Sequence, residues 1–374
     1  MIPFNKPYLT GKEAHYLYQA VYSGKISGNG LFTKKCQEFF ESKYGFRKTL
    51  MTTSCTDALE MCALLLDIQA GDEVIMPSYT FVSTSNAFVL RGAKIVFADS
   101  YADNPNTDPN LIEQLITDKT KVIVVVHYAG VACDMDRIME LADKYGLFVV
   151  EDAAQAIDSY YKGKPLGGIG HLGAFSFHET KNIISGEGGL LVVNDERFVE
   201  RAEIIWEKGT NRAAFFRGDV DKYGWVDMGS SFLPAETVSA FLYAQLENLE
   251  DIQRKRKKIW ETYYTKLKYL EERGLVRLPK IPNYATNNGH VFYLVCNSLE
   301  QRSALIKYLR ERNVYAVFHY LSLHLSEYYN EKHDGRSLPN CEYFADNLVR
   351  LPLFYELTDD DLEVTINTVS SFFG

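Results

Sequence analysis

A lysine and a carboxylate each follow an apolar stretch of this sequence. Lys181 stands in the run Phe-Ser-Phe-His-Glu-Thr-Lys-Asn at 175–182, and Asp152 in the earlier run Val-Val-Glu-Asp-Ala-Ala-Gln at 149–155. A lysine amine can form a Schiff base with the aldehyde of pyridoxal phosphate (PLP), and a carboxylate at a strand end can keep the pyridine nitrogen protonated. The pair predicts an enzyme that uses PLP as an electron sink, with Lys181 as its catalytic residue.

The stretch at 52–60 changes from strand-like to helix-like at small hydroxyl residues. Free backbone N–H groups at a helix start bind phosphate, so the turn before Cys55 and Thr56 is a candidate phosphate site. A capping box formed by Ser54 and Asp57 is the alternative interpretation. Both can hold if the Asp57 carboxylate points back along the chain.

Phe81 follows the next strand-like run, and it could stack on a planar ring at the carboxyl edge of a sheet. An aromatic residue at this point is more often part of the core. Asp152 needs a partner if it emerges from a buried strand, and a pyridinium N–H would supply one. A helix N-cap is the alternative role for Asp152.

Two glycine-rich stretches flank the lysine motif. Residues 168–173 formally match the dinucleotide fingerprint, but they precede a strand-like run, whereas that fingerprint follows a strand and opens a helix. We therefore interpret these glycines as turn residues. Residues 186–189 predict a turn that returns the chain to the sheet and fixes Lys181 at its edge.

Further on, His319 and Tyr320 follow a strand-like run and could meet a substrate, although a solvated loop is an equal alternative.

The elements that must position these residues follow an alternating pattern. Short apolar runs at 49–52, 73–76, 94–97, 121–126 and 147–150 predict strands, and helical patterns begin at Cys55, Phe81, Pro109 and Met135. The run at 121–126 is too uniformly apolar for a half-exposed strand, so it predicts a buried parallel strand with helices on both faces.

The second half of the chain is organised differently. A polar segment at 209–230 breaks the alternation, and we expect it to be functional or to form an interface. A long helix is predicted from Ala235 toward Leu270. Strands at 291–296 and 314–318 with a helix at 301–312 then predict a smaller α/β domain. We expect a large domain at 1–250, whose N-terminal segment could pack with a small domain at 251–374.

Composition narrows the class of protein. The 374 residues are 46% hydrophobic and 24% charged, which is ordinary for a globular protein, and the net charge of −9 argues against a nucleic-acid surface. Six cysteines show no zinc-type spacing, so we expect reduced core residues and no metal site. The N-terminus resembles no signal peptide and no apolar stretch could span a membrane, which predicts a cytoplasmic location without membrane contact.

Taken in order, these motifs resemble the DegT/StrS family of PLP-dependent sugar aminotransferases. The family motifs are Ser-x-Thr-x-Ala-Leu, Pro-Ser-Tyr-Thr-Phe, Glu-Asp-Ala-Ala-Gln, Phe-Ser-Phe-x-x-x-Lys and Gly-Glu-Gly-Gly, and the resemblance covers essentially the whole chain. It implies the type I fold of PLP enzymes, in which a large, mostly parallel sheet domain is joined to a smaller C-terminal α/β domain. The cofactor lies at a subunit boundary in that fold, so the resemblance also implies a homodimer with shared active sites.

The resemblance assigns roles residue by residue. Lys181 would carry the cofactor and Asp152 would pair with its pyridine nitrogen, while Gln155 would meet its phenolic oxygen and Phe81 would cover the ring. The phosphate would be held by Cys55, Thr56 and Ser176. Many members have an asparagine that reaches the phosphate in the neighbouring subunit, and Ser231 stands in its place here.

Within the family the closest likeness is to the dTDP-4-amino-4,6-dideoxygalactose transaminases, through the stretches 126–132, 177–182, 207–212 and 215–218. The implied reaction moves an amino group from L-glutamate to C4 of a dTDP-4-keto-6-deoxy-D-glucose in the biosynthesis of lipopolysaccharide or another surface polysaccharide. The diphosphate of this nucleotide sugar would be neutralised by basic residues of the polar loop, chosen from Lys208, Arg212 and Arg217. His319 and Tyr320 would contact the sugar.

Four alternatives stay open at this point. Amination at C3, or of another keto-sugar nucleotide, would use the same residues. A PLP-dependent sugar dehydratase is disfavoured because the resemblance implies histidine in place of the lysine in such members. A non-catalytic sugar-nucleotide-binding protein would have no need of Lys181. A nicotinamide-dependent oxidoreductase would require the glycines at 168–173 to bind a dinucleotide.

Overall fold

A computed structural model describes residues 1–374. Its strands are β1 (Lys48–Thr52), β2 (Glu73–Pro77), β3 (Lys94–Ala98), β4 (Thr120–Val126), β5 (Phe148–Asp152), β6 (Tyr160–Tyr161), β7 (Lys164–Pro165), β8 (Leu172–Ser176), β9 (Gly189–Val193), β10 (Val276–Arg277), β11 (Phe292–Cys296), β12 (Val317–Phe318) and β13 (Leu348–Leu351). Its helices are α1 (Glu13–Tyr22), α2 (Leu31–Tyr44), α3 (Cys55–Leu65), α4 (Val82–Val89), α5 (Met135–Tyr145), α6 (Val199–Trp206), α7 (Arg212–Arg217), α8 (Glu236–Leu246), α9 (Leu249–Glu272), α10 (Leu299–Glu311), α11 (Pro339–Asn347) and α12 (Asp359–Phe373). No helix is long and apolar enough to cross a bilayer.

Seven strands form the large sheet in the order β1-β9-β8-β5-β4-β2-β3. All of its pairings are parallel except those of β9, which runs antiparallel to both β1 and β8. Six strands therefore point the same way, and their carboxyl ends meet at one edge. The mostly parallel sheet predicted from the sequence is confirmed.

Strand β4 illustrates why this sheet is buried on both faces. Side chains alternate along a strand, so Val122 and Val124 join the apolar cluster on one face, and Ile123 and Val125 join the cluster on the other. The same alternation in β5 sends Val150 to the first face and Val149 to the second. Asp152 therefore lies on the face of Val150, and Glu151 lies on the opposite face.

The smaller sheet is antiparallel, with the order β10-β11-β13-β12. One of its faces packs with α9, α10 and α12 in a separate apolar cluster that includes Phe292, Leu294 and Val349. The N-terminal segment joins this unit, because Ile2 pairs with Val314 and is buried in the same cluster. The division after residue 250 stays a proposal, and it would fall in the first turn of α9.

Some local predictions were wrong. The helix expected from Pro109 is only two short 3-10 turns, Pro109–Leu111 and Glu113–Leu115. The helix expected from Ala235 to Leu270 is two helices, α8 and α9, separated at Glu247 and Asn248, where the Asn248 side chain donates to the carbonyl of Ala244. The polar segment contains a short helix, α7, and the strand expected at 314–318 is reduced to β12.

Candidate active site

Five strands of the large sheet deliver their following residues to the same edge. The turn before Cys55 follows β1, Phe81 follows β2, and Tyr128 follows β4. Asp152 is the last residue of β5, and Lys181 lies in the loop after β8, the neighbouring strand. Residues far apart in the sequence are thus collected where ligands bind in parallel sheets.

The Asp152 carboxylate is buried and held at both oxygens. Thr84 Oγ1 donates to Oδ2 at 2.7 Å, and the Ala154 N–H donates to Oδ1 at 3.1 Å. Burial raises the pKa of Asp152, whereas these two hydrogen bonds and the charge of Lys181 lower it. No helix begins at Asp152, so the N-cap alternative is wrong. The remaining capacity of the carboxylate suits a cationic N–H partner.

Lys181 is partly buried, and its Nζ has no hydrogen-bond or ion-pair partner within the chain. Burial lowers the pKa of its amine, and the charge of Arg350 acts in the same direction, while Cys55 and Asp152 oppose the shift. The next residue, Asn182, anchors the loop: its amide donates to Gln253 Oε1 at 2.8 Å. The amine is therefore held in place by its neighbours while its own nitrogen stays free to react.

The start of α3 has the properties of a phosphate site. Ser54 caps the helix by accepting the N–H of Asp57 at 3.1 Å, and the Asp57 carboxylate bonds back to the Thr53 hydroxyl. The capping box and the free N–H groups of Cys55 and Thr56 thus coexist, with the acid turned away.

Gly189, the first residue of β9, allows the helix start to approach the sheet. A Cβ at Gly189 would lie 2.3 Å from the backbone carbon of Ser54. Any larger residue would push the turn away. Ser176, the last residue of β8, lies at the same edge, where its Oγ accepts the His178 N–H at 3.4 Å. The phosphate-binding residues expected from the sequence therefore lie at the carboxyl ends of β1 and β8, which only β9 separates in the sheet.

Tyr320 connects several of the expected site residues. Its hydroxyl accepts a hydrogen bond of 2.8 Å from Gln155 Nε2, its ring stacks on His319 at 3.6 Å, and the Phe81 ring lies 6.3 Å away. The backbone of Tyr320 has a φ of 47°, which an ordinary residue adopts only under local constraint. Phe81 is 57% exposed, so its interpretation as a core residue is wrong. The four side chains form one wall of the site.

His319 is a buried member of this wall. Its Nδ1 shares a hydrogen bond of 2.7 Å with the Tyr128 hydroxyl, and its carbonyl accepts a hydrogen bond of 2.6 Å from the Tyr79 hydroxyl. Burial lowers the pKa of His319 well below its usual value, and the nearby cations Arg350 and Lys181 contribute. The imidazole is therefore neutral at physiological pH, and the solvated-loop alternative is wrong for this residue.

The residues expected from the polar loop lie on the outside of the chain. Ser231 is exposed and is bridged to Glu207, and Arg212 is exposed with its guanidinium 5.2 Å from the Phe216 ring. Neither side chain bonds to Lys181, Asp152 or the start of α3 within one chain. Arg217 is engaged by two carboxylates, those of Glu203 and Asp219, which makes it a poor diphosphate ligand.

The glycine-rich run after residue 166 donates backbone hydrogen bonds to a buried side chain. The buried Glu151 carboxylate accepts the N–H groups of Gly167, Ile169 and Gly170 at 2.8, 2.7 and 2.6 Å. It also pairs with His127 Nε2 at 2.9 Å. Because an internal carboxylate uses these amides, they are not free to bind a dinucleotide. Gly168 and Gly170 lie in the turn as expected, whereas Gly173 is a residue of β8, so the prediction was wrong for that glycine.

Several residues of the site were missed by sequence reasoning. Thr84 orients Asp152, and Tyr128 holds His319, but no local pattern distinguishes either from a core residue. Arg350 could have been noticed in the sequence, since it is the only charged residue of β13.

The residues gathered at this site fit PLP. They provide a free lysine amine, a buried carboxylate with capacity for a pyridinium, unpaired N–H groups at a helix start, and an exposed aromatic ring.

Comparison with known proteins agrees with this chemistry. The profile of the DegT/DnrJ/EryC1/StrS aminotransferase family matches residues 7–370. The chain is 31% identical over 377 residues to the spore coat polysaccharide biosynthesis protein SpsC of Bacillus subtilis, an alignment covering 98% of this chain and 96% of that protein.

Two solved structures share the fold at full length. The aminotransferase TlmJ of Streptoalloteichus hindustanus is 29% identical with a TM-score of 0.91, and the match covers 100% of this chain and 99% of that one. Spr1654 of Streptococcus pneumoniae, described as a sugar aminotransferase and solved in its PLP form, is 27% identical with a TM-score of 0.90, and the match covers 99% and 98% of the two chains.

Proposed function

The chain belongs to the DegT/DnrJ/EryC1/StrS aminotransferase family, and from that premise we propose that it aminates C4 of dTDP-4-keto-6-deoxy-D-glucose with L-glutamate. The products would be dTDP-4-amino-4,6-dideoxygalactose and 2-oxoglutarate. The observation that carries the transamination is the free Lys181 amine at the strand end next to Asp152. The choice of sugar is supported by the four sequence stretches that resemble the galactose-type transaminases.

PLP, when bound, supplies an electron sink for the bond that breaks at the amino-bearing carbon. The chain must then move protons. We assign to Lys181 Nζ the removal of the proton from the α-carbon of the donor, and in the return half-reaction the delivery of a proton to C4 of the sugar. A lowered amine pKa suits this role, because the amine must accept a proton near neutral pH.

Asp152 would keep the cofactor's ring nitrogen protonated throughout. Thr84 and Ala154 fix the direction of its carboxylate, so it does not have to reorient as charge develops. Gln155 would reach the phenolic oxygen, although its amide also bonds to Tyr320 and to the Ala129 N–H, the latter at 2.6 Å. Phe81 would cover the ring from the open side.

The phosphate of the cofactor would lie at the start of α3, held by Cys55, Thr56 and Ser176. Ser231 and Arg212 would act across a subunit boundary, since both are exposed in one chain. We propose a homodimer that uses the exposed apolar residues near Phe81. Leu90 directly follows α4 and is exposed, and the next residue, Arg91, contacts Met228 of the polar loop, so the end of α4 lies against this loop.

The pathway and location are also proposals. The name of SpsC refers to polysaccharide biosynthesis, which supports a role in making the precursor of a lipopolysaccharide or another surface polysaccharide. We also propose a cytoplasmic location. His319 and Tyr320 would meet the sugar on the wall that they share with Gln155.

A two-step spectroscopic experiment tests the proposal. The PLP-loaded protein is first converted to its pyridoxamine form with L-glutamate and freed of excess donor, and the keto sugar nucleotide is then added. Return of the visible band of the PLP form would establish both donor and acceptor. Conversion by glutamate without that return would exclude this sugar and favour a 3-keto or another keto-sugar nucleotide. A nicotinamide-dependent rate would contradict transamination.

A further inference from the structure

Arg350 lies on β13, the central strand of the smaller sheet, opposite Tyr293 of β11 and Val317 of β12. Its strand neighbours Val349 and Leu351 face the core of the small unit. Tyr293 instead belongs to the apolar cluster on the large sheet, 5.8 Å from the Tyr128 ring. Because Arg350 shares the face of Tyr293, its side chain lies between the two sheets, on the side of the lysine.

The guanidinium of Arg350 is incompletely bonded. One terminal nitrogen donates to the carbonyl of Phe318 at 3.1 Å, and the Phe4 ring lies 4.7 Å from the guanidinium carbon. Nε is buried and has no hydrogen-bond partner. A buried donor without a partner costs free energy, so it marks a place where a ligand is expected.

The charge of Arg350 is not neutralised by a carboxylate. Burial lowers the pKa of Arg350, and the groups that oppose this shift are the tyrosines Tyr128, Tyr320 and Tyr79. Arg350 in turn acts on Lys181, whose pKa is lowered first by burial and also by this charge. The space between the sheets therefore holds two cations, while the one acid nearby, Asp152, is bonded to Thr84 and Ala154.

We propose that the Arg350 guanidinium binds the α-carboxylate of the amino-acid donor, and this inference rests on the proposed use of such a donor. The reacting amine and the α-carboxylate share one carbon atom. A receptor for that carboxylate must therefore lie close to Lys181, and a cation suits its charge; Arg350, whose charge acts on Lys181, meets both conditions. Nε and a terminal nitrogen form the planar fork that binds a carboxylate through two parallel hydrogen bonds.

The diphosphate of the sugar substrate is a poorer occupant. It is attached at C1, and the sugar ring separates it from C4, the carbon that reacts near Lys181. A diphosphate beside Arg350 would have to enter the space between the two sheets. The exposed polar loop, with Arg212, offers it a solvent-accessible position instead.

The test compares the two half-reactions in the PLP-loaded protein. Arg350→Met, Arg350→Lys and the native protein are titrated with L-glutamate and with L-alanine, and conversion to the pyridoxamine form is followed by absorbance. We expect Arg350→Met to raise the half-saturating concentration of both amino acids by at least about thirtyfold, since a buried charged partner is removed. Arg350→Lys should lie in between, because it keeps the charge but not the fork.

The return half-reaction is the internal check. In the pyridoxamine form, the half-saturating concentration of the keto sugar should change by less than about twofold in Arg350→Met. If the half-saturating concentration of the keto sugar rose while those of the amino acids did not, the proposal would be overturned, and the diphosphate would be indicated as the ligand of Arg350. A raised half-saturating concentration for glutamate but not for alanine would also overturn it, because Arg350 would then bind only the side-chain carboxylate.

A binding measurement keeps the test independent of turnover. Glutarate has both carboxylates of glutamate and no amine, so calorimetry can measure its affinity for the PLP-loaded protein directly. We expect at least about tenfold weaker binding in Arg350→Met. Equal affinities would overturn the inference, whereas failure of the native protein to react with any amino acid would contradict the proposed donor instead.

Arg302 provides the matched control. Its guanidinium lies 5.6 Å from the ring of Phe318, the residue whose carbonyl Arg350 contacts, and its Nε donates to the Asp346 carbonyl at 2.8 Å. Arg302→Met removes a positive charge from the same unit on its outer side. It should leave both titrations unchanged. Retained PLP absorbance and melting temperature would establish that each variant is folded.

Discussion

The Thr84 hydroxyl donates a hydrogen bond of 2.7 Å to Oδ2 of Asp152. Thr84 belongs to α4, whose N-cap residue is Phe81. One short helix thus positions the carboxylate expected at the ring nitrogen and the aromatic residue expected over the ring. Thr80 extends the arrangement by a hydroxyl–hydroxyl contact of 2.8 Å with Thr84. The chemistry of β5 therefore depends on a helix that follows β2.

Replacing Thr84 by valine should move the acid limb of the pH–rate profile. The change keeps the shape but removes a hydrogen bond to the ionised carboxylate, so the pKa of Asp152 rises further. Ionised Asp152 is then lost at a higher pH, and the acid limb of kcat shifts upward. At neutral pH we expect about a tenfold lower kcat. Ser85→Ala, which removes the neighbouring hydroxyl, is the control, and an unshifted limb in Thr84→Val would argue against the positioning role.

Lys181→Ala should abolish turnover while leaving the fold intact. No hydrogen bond or ion pair within the chain depends on Nζ, so the loss is chemical and not structural. Steady-state assays with glutamate and the keto sugar, together with thermal unfolding of the cofactor-free protein, measure the two effects separately. A variant with near-normal turnover would remove Lys181 from the mechanism.

Charges on either side of Lys181 should shift its titration in opposite directions. The carboxylate of Asp152 favours the charged amine and the guanidinium of Arg350 disfavours it. Asp152→Asn should therefore lower the pKa of Lys181, and Arg350→Met should raise it. Amine labelling of cofactor-free protein across a pH series, read at Lys181 by mass spectrometry, measures both. Shifts of the same sign would show that the two groups do not act through charge.

The predictable part of the site consists of residues next to strand ends. Asp152, Lys181 and the turn before Cys55 each follow an apolar run, and such runs can be recognised from the local sequence alone. The sheet order then brings them together, since β5 and β8 are neighbours. Their convergence needed only the assumption of a parallel sheet.

The unpredictable part depends on contacts between units. Arg350 faces the site only because the small sheet turns the face that carries Arg350 of β13 and Tyr293 of β11 toward the large sheet, and no local pattern encodes that packing. The break between α8 and α9 likewise falls at Glu247 and Asn248, in a stretch that contains no glycine or proline to mark a helix end. Periodicity reports which residues are apolar, but it does not report which element covers them.

Leu90→Glu should separate the proposed dimer. Leu90 is 69% exposed at the end of α4, beside the polar loop, and burying a carboxylate in an apolar interface is costly. Light scattering should give about one chain mass for the variant and two for the native protein. Val364→Glu is the control, since Val364 is 48% exposed on α12, a helix of the smaller unit. A variant that keeps the native mass would place the interface elsewhere.

Glu151→Gln should destabilise the fold more than any exposed acid-to-amide change. The carboxylate accepts N–H groups from Gly167, Ile169 and Gly170, and His127 donates to it as well. An amide has one acceptor oxygen, and its NH₂ would face N–H groups that also donate. We expect a loss of about 3 kcal/mol in the free energy of unfolding, which urea denaturation can measure.

Glu140→Gln separates this buried effect from the loss of charge itself. Glu140 is exposed and pairs with Arg137 one turn earlier on α5 at 2.8 Å. Exposed ion pairs contribute little to stability, so we expect the free energy of unfolding to change by less than about 0.5 kcal/mol. Equal losses in the two variants would mean that the buried network adds nothing beyond a surface ion pair. A large loss confined to Glu151→Gln would instead show that the loop at 167–170 is held by this carboxylate, and with it the turn that leads into β8 and Lys181.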